Sequence, residues 1–109
     1  MNRIENNMHE VELKTDFVPF EERHEKGEEF VFNQWLFRFK DNRGLSVICH
    51  TSKKDGCIKS YGNPSKPFEA VLIRFDEDSD DFFLSEEPKG FLAEEDVNKL
   101  LKKLEGEQK

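Results

Sequence analysis

The chain has 109 residues, 24 acidic against 17 basic side chains and a formal net charge of -7 at pH 7. This length suits one domain that buries roughly two-thirds of the surface its unfolded form exposes, and the acidic balance disfavours nucleic-acid binding through the whole surface, which needs a basic footprint. No apolar run approaches the ~18 residues of a membrane helix, and Met1 to Glu10 has neither a basic n-region nor an apolar h-region, so we expect a cytoplasmic protein without signal peptide or membrane contact.

Hydrophobic residues make up 35% of the chain and charged ones 38%. Scattered apolar residues at that ratio would mean disorder, but here they cluster between Phe30 and Leu104, and the middle is expected to fold. Eleven Phe against one Trp and one Tyr put much of the apolar area into rings without a polar atom, which suits a core or a greasy contact surface. Charge is segmented: nine acids and four bases over 1–29, two acids and seven bases over 38–66, eleven acids and two bases over 67–97.

From Met1 to Glu29 the composition is polar, with a short alternation at Val11 and Leu13 and with Pro19, which breaks any helix near it. We expect a flexible acidic arm over 1–29, with room for one edge strand, a single domain over 30–106 and a tail at 107–109. In the next segment Trp35, Phe37 and Phe39 alternate with Leu36, Arg38 and Lys40, the period of a strand with one buried face. Asn33-Gln34 marks a bulge in it. Asp41-Asn42-Arg43-Gly44 supplies turn chemistry, with Gly44 able to take positive φ, and Leu45, Val47 and Cys49 resume the alternation, completing a β-hairpin.

Thr51 to Pro67, with two glycines, two prolines and four lysines, reads as a long loop with a weak strand near Cys57 and Ile58. Phe68 to Phe75 is apolar on both faces, Phe68-Ala70-Leu72 and Val71-Ile73-Phe75, and belongs at the sheet centre or under a helix. Phe82 to Leu84 returns as its antiparallel partner. Val97, Leu100, Leu101 and Leu104 then follow the spacing of one helical face. Glu94, Glu95 and Asp96 lie in its first turn and Lys99, Lys102 and Lys103 later, as the helix dipole favours; Gly106 ends it, and Leu92 can staple onto Val97. The fold class is therefore α+β: a small antiparallel sheet built from hairpins, with one C-terminal helix packed on a face. Val97, Leu100, Leu101 and Leu104 are expected against Trp35, Phe37, Val47 and Val71.

Asp76 to Glu87 holds seven carboxylates and no base. Such density is self-repelling, so the segment is a solvated hairpin, a cation site or a surface aimed at a basic partner. Asp76, Asp78, Asp80 and Glu87 imitate calcium-loop spacing, but Asp81 stands where that loop needs glycine and the flanks read as strands, so no metal is assigned. Cys49, His50 and Cys57 with a remote His9 or His24 make a poor zinc set, because neighbours on a strand point to opposite faces. That geometry also excludes a Cys-His nucleophile pair, and no serine elbow or phosphate-binding glycine loop is present. Enzymatic activity and a cofactor are not expected, and the two cysteines are read as reduced thiols. The rings of Trp35, Phe37 and Phe39 beside Arg38 and Lys40 could form a stacking platform for single-stranded nucleic acid, but burial in the core is the simpler use of them.

The segments Phe37-Arg38-Phe39, Asp41 to His50, Ser60-Tyr61-Gly62, Phe68 to Leu72 and Gly90 to Asn98 with its leucine helix, together spanning Trp35 to Lys103, resemble a group of small acidic proteins encoded by bacteriophages and prophages. The resemblance implies a phage origin and a compact strand-rich domain, and carries over no catalytic residue. Ala93 departs from the expected Ser or Thr helix cap, and the loop Thr51 to Ser60 is longer and more basic than the pattern.

A phage origin favours a non-enzymatic protein that binds and modulates or inhibits a host protein in the bacterial cytoplasm, including anti-defence inhibitors of the anti-CRISPR or DNA-mimic type. The expected partner is a host protein with a basic surface, contacted by Asp76, Glu77, Asp78, Asp80 and Asp81. The alternatives are a nucleic-acid-binding accessory protein using Arg38, Lys40, Arg43, Lys53 and Lys54, and a structural virion component; the simpler use of those bases, with Lys59, is to face the acidic hairpin or arm of the same molecule.

Overall fold

The computed structural model describes residues 11–54, 58, 62–63 and 65–108. Among them six strands form one antiparallel sheet: β1 (Glu21–Lys26), β2 (Phe30–Arg38), β3 (Arg43–Ser52), β4 (Phe68–Phe75), β5 (Phe82–Leu84) and β6 (Lys89–Leu92). Among the same residues one helix, α1 (Glu94–Gly106), packs on one face, so the fold is α+β. The strand order is β1-β2-β3-β4-β5, and β6 shares with β5 the edge of β4 that β3 leaves open.

The two-residue period decides which side chains face the helix. Trp35 lies opposite Val47, Phe37 opposite Leu45, Val47 opposite Ala70 and Leu45 opposite Leu72. Except for the partly buried Leu72, these residues form a closed core with Phe68, Cys49, Val97, Leu101 and Leu104, and the Trp35 and Phe68 rings meet edge to face at 5.7 Å. Leu100 is partly buried at its margin. Val71, expected in this core, is instead opposite Ser46 and joins Leu36, Ile73, Phe75 and Phe82 on the other face. The same alternation that turns Ala70 and Leu72 to the helix turns Val71 away from it.

Two further expectations are corrected. The β2–β3 ladder runs unbroken from Phe30 opposite Ser52 to Arg38 opposite Gly44, so Asn33-Gln34 forms no bulge. The buried Asn33 is accommodated because its Nδ2 donates to the Cys49 carbonyl at 3.1 Å, which turns Oδ1 toward His24 Nδ1 at 2.8 Å and so places the donated proton on that ring nitrogen. In the β2–β3 turn the left-handed residue is Asn42 (φ 69), not Gly44. Gly44 is required by close approach: a Cβ there would lie 2.2 Å from the Phe37 carbonyl oxygen and 2.8 Å from the Phe75 ring.

Residues before 30 also pair and pack with the rest. Glu21–Lys26 pairs along β2 as an edge strand, and residues 11–17 run beside α1. There the Lys14 N–H donates to Glu94 at 2.8 Å, Asn98 Nδ2 donates to the Lys14 carbonyl at 3.0 Å and Thr15 bonds Asn98. Val11, Leu13 and Phe17 pack on the core, with Phe17 edge-on to Phe39. The first ten residues of the expected arm, and Cys57 with part of its loop, lie outside the described residues; Ile58 bridges Thr51. At the helix start Ala93 has no side chain to cap with, and the Asp96 carboxylate accepts the Ala93 N–H at 2.8 Å, one half of a capping box.

Candidate partner-binding site

The acidic hairpin begins where β4 runs out of apolar residues at Phe75. The Asp76 N–H donates to the Asp81 carbonyl at 2.9 Å, the Asp78 N–H to Asp76 Oδ1 at 3.1 Å and the Asp81 N–H to Ser79 Oγ at 3.2 Å. Short polar side chains thus satisfy the turn's own backbone.

From outside the hairpin, Arg38 at the end of β2 reaches over it. Its Nη1 donates to the Ser79 carbonyl at 3.2 Å and to Asp80 Oδ1 at 3.3 Å; its Nη2 donates to the Asp76 carbonyl at 3.0 Å and to Asn42 Oδ1 at 3.0 Å. The guanidinium also lies 4.5 Å from the Phe75 ring centroid and 5.5 Å from that of Phe20, and those rings meet edge to face at 5.3 Å. Asn42 ties the two hairpin tips further, accepting the Phe75 N–H at 2.7 Å.

One arginine therefore holds the acidic turn mainly through backbone carbonyls. The carboxylates stay outside: Asp76, Glu77, Asp78, Asp80 and Asp81 are all exposed, and the Asp80 side chain is 80% accessible against 18% for its ion-pair partner Arg38. A loop of like charges, which repulsion alone would spread, is fixed at its base and charged at its rim.

Beside it three apolar side chains stay exposed. Phe82 packs on Phe75 at 5.5 Å, but Phe83 is 59% exposed, Leu84 58% and Phe91 52%. Three apolar residues in succession on an edge strand cannot all turn inward, and that was the available signal. Phe91 also has φ 56, an uncommon left-handed backbone for a bulky side chain.

Among the described residues three of the bases singled out in the sequence are engaged within the molecule. Arg38 serves the acidic turn, Arg43 pairs with Asp41 at 2.7 Å and Glu107 at 2.8 Å, and Lys53 donates to the Gly27 carbonyl at 3.0 Å. Lys40 and Lys54 are exposed, and Lys59 lies outside the described residues. Cys49 sits in the helix-side core, where burial pushes its thiol up to about 12. His50 faces the other way against Phe32 at 4.6 Å; burial draws its pKa below the ordinary imidazole value, with Glu69 acting in the opposite sense. His9 and Cys57, the other ligands considered, are outside the described residues. Among the described residues no three His, Cys, Asp or Glu side chains converge as a metal would require. A cleft of about 280 Å3 beside α1 has Glu86, Glu87, Lys89 and Lys103 around an apolar floor, a mixed rim that selects no ligand charge.

Comparisons with protein-family models, with curated proteins and with solved structures found no match to this chain. Among the described residues no helix is long and apolar enough to cross a membrane. The functional reading accordingly rests on the hairpin and its surroundings.

Proposed function

We propose that this is a non-enzymatic binding protein that modulates or inhibits a host protein with a basic surface, with Asp76, Glu77, Asp78, Asp80 and Asp81 as the contact. The observation that carries this reading is the Arg38 clamp: the turn is held by its carbonyls while its carboxylates face solvent. Carboxylates held in place lose less freedom on meeting lysines and arginines than a mobile loop would, and a dense negative rim speeds encounter with a basic partner. Exposed Phe83 and Leu84, one on each face of β5, add apolar contact area next to the charged rim. By analogy of size, charge and phage origin, the target class is bacterial DNA-binding defence enzymes, against which rows of carboxylates stand in for phosphates.

The test is affinity capture from bacterial lysate with the wild-type protein and with the D78N/D80N/D81N variant. A DNA-binding protein retained by the wild type, released by competing duplex DNA and absent from the variant is the expected result. Identical retained sets for the two proteins would reject the acidic contact. The basic-face alternative has less support, since Arg38, Arg43 and Lys53 are engaged within the molecule.

A further inference from the structure

The edge next to the acidic turn has a backbone pattern that specifies how a partner would dock. The Asp76 N–H donates to the Asp81 carbonyl and the Ser85 N–H to the Leu72 carbonyl. In an antiparallel ladder alternate residues bond the same neighbour, so residues 81, 83 and 85 turn their backbone groups to β4, while Phe82 and Leu84 turn theirs outward. β5 is the terminal strand of the sheet, with no described strand beyond it. Its Phe83 and Leu84 side chains, on opposite faces of the strand, are both more than half exposed.

We infer that this edge accepts an extended segment of the partner as an added strand, a segment basic at both ends and apolar or β-branched in the middle. The inference rests on the partner-binding reading above and specifies its mode. The charge pattern along the edge selects the occupant: Asp80 and Asp81 precede β5, and Glu86 and Glu87 follow it, all exposed. An extended chain advances about 3.3 Å per residue, so the matching basic groups stand about five or six residues apart. Backbone bonds at Phe82 and Leu84 would supply register, and Phe83 and Leu84 would meet the central side chains, as in other strand-addition complexes. A second copy of this chain fits poorly. Pairing two β5 strands about Phe83 sets Asp80 of one opposite Glu86 of the other, a directly opposed like-charge pair.

The probe is an eight-residue peptide with two lysines at each end of a Val-Thr-Val-Ile centre, its control the same peptide with glutamates at the ends. Labelled peptide should bind the wild-type protein, more weakly as salt rises, and the control should not bind. Leu84→Pro removes an outward N–H that makes no bond to β4, a position an edge strand tolerates; it should weaken binding at least tenfold. Hydrogen exchange on the unmodified protein gives a second readout independent of that variant's folding: bound peptide should slow the Phe82 and Leu84 amides. Equal affinity for wild type and Leu84→Pro, with binding still lost in D78N/D80N/D81N, overturns strand addition while leaving the acidic contact standing. Failure of the peptide to bind, or unchanged exchange at both amides, also overturns it, and the lysate capture then decides the broader reading separately. A dimer of the wild type that Leu84→Pro dissociates would give the edge to a second copy and reject the inference.

Discussion

On one face of the sheet Trp35, Phe37, Leu45, Val47, Phe68 and Ala70 lie beneath α1 with Val97, Leu101 and Leu104, and all are buried. On the other face the buried apolar set is Leu36, Ile73 and Phe75, with Phe20 and the Arg38 guanidinium against the Phe75 ring. The difference separates two tasks. The helix face is ordinary hydrophobic burial, non-directional and scaled by area. The opposite face uses directional bonds from one cation, and those bonds end on the acidic turn. Stability and loop placement are therefore carried by different residues and should respond to different substitutions.

The largest effect is expected on the helix face. Leu101 is completely buried, and Leu101→Ala should cost about 2–5 kcal/mol, the transfer energy of the lost carbons plus a residual cavity. The denaturation midpoint should fall accordingly, while the Arg38 contacts persist in the folded fraction. An unchanged midpoint would mean that α1 does not close the core.

Arg38→Ala should act more weakly on stability and more strongly on the loop. It removes the donors to the Asp76 and Ser79 carbonyls and the cation over Phe75, together about 1–3 kcal/mol. The ion pair to the largely exposed Asp80 adds little, because solvent screens it. The decisive measurement is hydrogen exchange at the Asp76 amide, which should accelerate beyond the change in global stability in Arg38→Ala but only in step with it in Leu101→Ala. Parallel behaviour in the two variants would erase the distinction between the faces.

Much of this division was legible in the sequence. Strict alternation through Trp35, Phe37 and Phe39 and through Leu45, Val47 and Cys49, with the leucine face from Val97 to Leu104, encodes the helix-side core because periodicity is a local signal. Val71 was misplaced because β4 is apolar on both faces, and hydrophobicity alone cannot then choose a side. β6 was missed because four residues beside Pro88 and containing Gly90 carry too little pattern. The acidic residues were visible as a run with bases of the middle segment to face it, but which base anchors the turn, and through which groups, was not. Arg38 and Asp76 are brought together by strand pairing across the sheet, a long-range consequence of β2, β3 and β4 being neighbours. That bases of the middle segment face the acidic hairpin was the simpler reading of the charge pattern; only the fold shows that one of them, Arg38, holds the turn through its backbone carbonyls.

The smallest stability effect is expected for D78N/D80N/D81N, which bears on whether the turn is solvated or holds a cation. Asp76, left unchanged, keeps its Oδ1 as acceptor for the Asp78 N–H, and the Arg38 bonds to the Asp76 and Ser79 carbonyls do not involve the substituted groups. Only the exposed Asp80 ion pair is lost, against the removal of repulsion among crowded carboxylates. Stability should therefore be unchanged or slightly higher. Asp80 already faces Arg38, and β5 separates the turn from Glu87, so the spacing that imitates a calcium loop does not become a chelating shell. Millimolar calcium should leave the melting temperature of the wild-type protein where it is, since only a ligand that binds the native state raises it by mass action. A calcium-dependent rise in the wild type that vanishes in the triple variant would make the turn a cation site. The exposed rim would then be screened by the ion it holds, and its complementarity to a basic partner would depend on calcium.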